Sequence, residues 1–144
     1  MQQRSEPPSP EAILLAWDDL LQRAREMTTR AYAPYSHFAV GAAGVVDDGR
    51  VVVGCNVENA VYGLGLCAEC GLVADLHATG GGRLVQVAIV GPDGEPVPPC
   101  GRCRQLLLES GGPDTVVLTP AGSATLDELV PQAFGPHELR RSRP

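Results

Sequence analysis

Apolar side chains recur every three or four positions through Ile13, Leu14, Trp17, Leu20, Leu21, Ala24 and Met27, which puts them on one face of a helix. Ser9 suits the N-cap of that helix and Pro10 its first turn, so the spacing predicts a helix from about residue 10 to Arg30. Tyr32-Ala33-Pro34-Tyr35-Ser36 breaks the pattern. Phe38 to Val46 then reads as a strand, Asp47-Asp48-Gly49-Arg50 as a hairpin turn, and Val51 to Asn56 as the antiparallel return. After a loop from Val57 to Gly65, Leu72, Val73 and Leu76 predict a helix over Cys67 to His77, ended by Gly80-Gly81-Gly82. Leu84 to Val90 is nearly all apolar, as in a buried strand, and Gly91-Pro92-Asp93-Gly94 turns the chain. A short helix is expected from Gly101 to about Glu109, stopped by Gly111-Gly112-Pro113, then a strand over Thr115 to Thr119. Leu126, Leu129 and Phe134 lie in a last segment read as a helical turn and a docking stretch. The order is that of a mixed α/β domain with helices packed on a sheet. Residues 1–9 are expected to be disordered, 10–136 to form one domain, and 137–144 a flexible tail.

Charge and composition narrow the function classes. The chain has 144 residues, a formal net charge of -6 and no lysine. Its arginines are scattered except for Arg140, Arg141 and Arg143. That argues against a nucleic-acid surface, whose affinity rests on clustered positive charge, and favours a small neutral or cationic substrate. There is no apolar run of membrane-spanning length and no signal-peptide pattern, so the expectation is a cytoplasmic protein that binds no membrane.

Cysteine spacing carries the chemistry. Four of the five cysteines form two C-x-x-C pairs, Cys67 with Cys70 and Cys100 with Cys103, while Cys55 stands alone in a strand-like run and reads as a small buried hydrophobe. Two readings stand side by side: a structural zinc closed by four thiolates, or three thiolates with an open position for water. Three features favour the open site. Cys67 and Cys100 each open a predicted helix, where free N–H groups stabilise thiolate charge. Glu69 follows Cys67 by two residues, placed to carry a proton, which a purely structural site does not require. The 29 residues between the pairs hold a helix and a strand, wider than zinc-ribbon spacing.

Cys67-Ala68-Glu69, followed by Pro99-Cys100-Gly101-Arg102-Cys103-Arg104-Gln105 and preceded by Asn56-Val57-Glu58-Asn59-Ala60, resembles the small homotetrameric cytidine deaminases from about Tyr32 to Phe134. The resemblance implies a three-layer α/β/α fold, a mixed sheet with helices on both faces. It implies one zinc per chain on Cys67, Cys100 and Cys103, and hydrolysis of cytidine and 2'-deoxycytidine to their uridines with Glu69 shuttling protons. It further implies that Asn56 and Glu58, with Val57 between them, hold the ribose. Phe38 would pack on the pyrimidine and the backbone at Ala68 would hold the base edge. Tyr35 and Tyr62 match interface tyrosines, and Phe134 an aromatic supplied by a neighbouring subunit. Many relatives carry arginine where this chain has Cys70, so positive charge has to reach the three thiolates from elsewhere, with Arg102 and Arg104 as candidates. The alternatives are a deaminase of another aminopyrimidine nucleoside, such as blasticidin S, and a non-enzymatic four-cysteine zinc domain.

Overall fold

The computed structural model describes residues 13–141. In chain order the elements are helix α1 (Trp17–Thr28), strands β1 (Gly41–Val46) and β2 (Val51–Cys55), a 3-10 turn (Tyr62–Leu64), helix α2 (Ala68–Ala78), strand β3 (Leu84–Val90), helix α3 (Gly101–Gly111), strands β4 (Val116–Thr119) and β5 (Gly122–Thr125), and the short helices α4 (Leu126–Leu129) and α5 (Pro136–Arg140). The five strands form one sheet in the order β2-β1-β3-β4-β5. β3 and β4 run parallel with α3 as the crossover; the other pairs are antiparallel.

Every residue of β1 and of β3 is buried, because helices cover both faces of the sheet. Side chains alternate between faces along a strand. Ala42, Val46, Leu84, Val87 and Ile89 pack with Leu72 and Leu76 of α2, Leu107 of α3 and Leu126 of α4. Ala43, Val45, Val85, Ala88 and Val90 meet Leu20, Leu21 and Ala24 of α1 on the opposite face. The mixed sheet between helical layers is the fold class that the sequence implied.

Two glycines let helices approach the sheet. A Cβ at Gly41 would fall 2.0 Å from the Ala24 carbonyl of α1, and one at Gly54 would fall 2.2 Å from the Ala68 carbonyl of α2. The second approach fixes where α2 begins. Asp75 of α2 reinforces it by accepting from the Val53 amide at 2.9 Å.

The first helix departs from expectation. It begins at Trp17, residues 14–16 are not helical, and the proposed caps Ser9 and Pro10 lie outside the described residues. The cause is Gln86, 2% exposed inside β3, whose amide donates to the Leu15 carbonyl at 2.9 Å and accepts from its N–H at 3.0 Å. A buried amide needs both bonds, and meeting them holds Leu15 out of the helix. Beside Gln86 the β1–β3 register slips, Val45 facing Gln86 and Val46 facing Leu84. The first strand is also shorter than expected, since residues 38–40 lie outside the ladder, and β5 occupies a stretch for which no strand was expected. Pro136–Arg140, read mainly as the start of the tail, forms the short helix α5.

Candidate active site and metal centre

Cys67 is the N-cap residue of α2 (φ -69, ψ 158) and Cys100 that of α3 (φ -64, ψ 164). Extended cap geometry lets the next residues enter the helix while the thiol stays beside its first turn, at the positive end of the dipole. Cys103 lies one turn into α3 and is fully buried. The three Sγ atoms lie within 4.8 Å of one another. Cys70 does not belong to this group. It accepts instead from the Arg102 guanidinium at 3.3 Å, across the gap between α2 and α3.

These three donors fit a zinc ion. They are soft, they converge from two helix starts, and three thiolates leave one of four tetrahedral positions for a non-protein ligand. Without a cation two of the three thiols resist ionisation. Burial pushes the Cys103 thiol far up, with the Glu69 charge adding to it, and burial likewise raises Cys67. Burial also acts upward on Cys100, but hydrogen bonds from the Cys103 backbone and from the other two thiols outweigh it, leaving Cys100 below its ordinary value. The bond to Cys70 and the neighbouring thiols raise Arg102, so this side chain remains a fixed cation beside the cluster.

Glu69 sits in the first turn of α2, only 4% exposed. Burial raises its carboxyl above the ordinary value, with its own backbone N–H and the Cys103 thiol opposing the shift. A carboxyl so placed both takes and returns protons nearer neutral pH than an exposed one.

Cys67, Cys100 and Glu69 open into a cleft of about 750 Å³ that Phe38, Asn56, Val57, Glu58, Tyr62 and Ala68 also line. Tyr35 and Ser36 stand on its rim, and Val97 and Pro98 form a wall just before Cys100. Neither Ser36 nor this wall figured in the reading of the sequence; only their nearness to the motifs signalled them. Phe38 is half exposed, with Gly91 behind it. Glu58 accepts from the Tyr35 and Ser36 amides at 3.0 and 3.1 Å, and bonds from Ser36 and Tyr35 hold its carboxyl below the usual range. Phe134 is not brought to this cleft. It lies 62% exposed beside α3, its carbonyl accepting from Gln105 at 2.7 Å.

The family described as cytidine and deoxycytidylate deaminase zinc-binding region matches residues 16–119. The chain belongs to this family. The matched span contains Cys67, Cys100 and Cys103 together with Glu69. A cytidine deaminase of Mycobacterium tuberculosis is 54% identical over 127 residues, covering 88% of this chain and 96% of that protein. A cytidine deaminase of Halalkalibacterium halodurans is 39% identical over 125 residues, 83% of this chain and 95% of that protein. The crystal structure of the Mycobacterium tuberculosis deaminase shares the fold with a TM-score of 0.82 at 54% identity, covering 85% of this chain and 99% of that one.

Proposed function

We propose that the protein deaminates cytidine and 2'-deoxycytidine hydrolytically, giving the corresponding uridine and ammonia. The observation that carries this reading is the buried Glu69 carboxyl in the cleft that Cys67 and Cys100 also line, these two thiols converging with Cys103 and not with Cys70. Cys67, Cys100 and Cys103 would hold zinc, which when bound supplies Lewis-acid activation of water. Glu69 would take a proton from the water, pass it to ring N3, and give a second to the amino group as the C4–O bond forms and the C4–N bond breaks. The cleft's volume suits a nucleoside. Asn56 and Glu58, with Val57 between them, stand where the ribose would lie, Phe38 beside the pyrimidine, and the Ala68 backbone at the base edge.

The working form in this reading is a homotetramer in pyrimidine salvage in the cytoplasm, with Tyr35, Tyr62 and Phe134 completing a neighbour's site. Among the described residues no helix is long and apolar enough to cross a membrane. The loss of ultraviolet absorbance when cytidine is added to zinc-loaded protein tests the reaction. Glu69→Gln is expected to keep the zinc, measured by a chromogenic chelator, and to lower kcat at least ~100-fold. Near-normal turnover by this variant would defeat the mechanism, and zinc without turnover in the unaltered protein would favour the structural domain.

A further inference from the structure

The two residues that follow Cys103 reach toward the C-terminal part of the chain. Arg104 donates from Nε to the Pro99 carbonyl at 2.9 Å and from Nη1 to the Leu129 carbonyl at 3.4 Å, joining the approach to Cys100 with the end of α4. Gln105 donates from Nε2 to the Phe134 carbonyl at 2.7 Å. A carbonyl can only accept, so the amide nitrogen is the atom that faces it. Residues 131–134 belong to no helix or strand, and Gln132 among them has φ 52, a left-handed conformation that side chains disfavour. Among the described residues, the bond from Gln105 is the one hydrogen bond that reaches this stretch from another element. The Phe134 ring is left 62% exposed, although a hollow of about 360 Å³ that Leu108, Val130 and Ala133 line lies beside it. Burying an aromatic ring is favourable, so a Phe134 freed of its tether would gain by settling toward that hollow.

We propose that Gln105 is a positioning residue that acts in trans: by holding the Phe134 backbone it presents the ring to the cleft of a second copy of this chain. This rests on the assembly proposed above, in which Phe134 completes a neighbour's site. Phe134 does not line its own cleft, whose apolar rim, with Tyr62 86% exposed, is open for a partner to cover. Two residues along a helix turn a side chain through about 200°. Cys103 is therefore buried in the thiol cluster while Gln105 faces outward from the same turn of α3. One helix thus bears ligands for its own site and the hold on a neighbour's.

The test uses full-length, zinc-loaded protein and cytidine. Turnover by the unaltered oligomer comes first: no turnover defeats the activity reading, full turnover by a monomer defeats the assembly reading, and either takes this inference with it. Given an active oligomer, Gln105→Ala raises KM about threefold to tenfold, as expected for one hydrogen bond, while kcat falls less and the zinc content is unchanged. It adds little to Phe134→Ala. Mixed oligomers then locate the effect. Differently tagged Gln105→Ala and Glu69→Gln chains are co-expressed and purified on both tags, so that the active sites lie in the Gln105→Ala chains. KM returns toward the unaltered value, because Glu69→Gln neighbours supply a ring that is still held. In the converse mixture, of unaltered chains with the double variant Glu69→Gln, Gln105→Ala, KM rises although each active chain is intact. The inference is overturned if Gln105→Ala leaves KM unchanged, adds in full to Phe134→Ala, keeps its penalty in the first mixture or has none in the second. Should Gln105→Ala fail to fold, Gln105→Met, of similar length and without a donor, takes its place in every comparison and is read in the same way.

Discussion

Glu69 and Glu58 are carboxylates of one cleft in opposite settings. Burial raises the first, while backbone and side-chain donors around residues 35 and 36 lower the second. A depressed carboxylate keeps its interactions above the ordinary value and loses them as pH falls through the depressed one. The affinity contributed by Glu58 is therefore expected to persist down to its ordinary 4.5 and to fail only below it. Binding of a cytidine-site inhibitor measured by calorimetry from neutral pH downward checks this, with Glu58→Gln removing the acid limb; a limb already complete near pH 6 would contradict it. Cys70 makes a second prediction. Because its thiol is turned to Arg102 and lies outside the three-thiol group, Cys70→Ala is expected to retain one zinc per chain, whereas Cys67→Ala, Cys100→Ala and Cys103→Ala lose the metal. Equal zinc loss from all four would close the site with four thiolates and end the deaminase mechanism.

At the scale of elements, the site depends on how closely α2 lies against β2. A methyl at Gly54 would fall 2.2 Å from the Ala68 carbonyl and 2.4 Å from the Leu72 amide, backbone atoms that can yield only if the helix moves. Gly54→Ala is expected to cost about 1–3 kcal/mol or more in denaturant unfolding, as overpacking does, and to weaken zinc binding as well, since Cys67 caps the displaced helix. A variant with unchanged midpoint and zinc affinity would show that this contact does not set the helix start. The limit of periodicity shows at the same scale. The apolar spacing from Ile13 to Met27 suits one continuous helix, yet Gln86, seventy-one positions beyond Leu15, holds the first turn open. A window read along the chain contains Leu15 and not its partner.

On the whole molecule, exposed apolar side chains gather around the cleft. Tyr62 is 86% exposed, and Tyr35, Phe38, Leu64 and Leu66 are about half exposed or more, an expensive surface for an isolated chain. The proposed tetramer would cover it. Tyr62→Glu is expected to give a smaller species in light scattering and to lower activity with it. A fully active monomer would sink the idea that neighbours complete the site.

The candidate metal ligands and the proposed proton carrier were legible because each lies within a few residues of a helix start, where local spacing fixes direction: Cys67 and Glu69 at the head of α2, Cys100 and Cys103 at the head of α3. The β1–β2 hairpin, β3 and β4 were legible for the same reason, from the Asp-Gly turn and the apolar runs. Local spacing leaves Cys70 ambiguous, since a C-x-x-C pair suits a four-thiolate site as well as a three-thiolate one. Packing of α2 beside α3 turns its thiol to the Arg102 guanidinium, outside the three-thiol group. Tertiary packing likewise gave Gln86 a residue to pin and Gln105 a carbonyl to hold. The sequence alone thus determined which candidate groups stand at helix starts and most of the order of elements that presents them. The tertiary structure decided the partners of their polar atoms, because a hydrogen bond depends on the final placement of segments far apart in the chain.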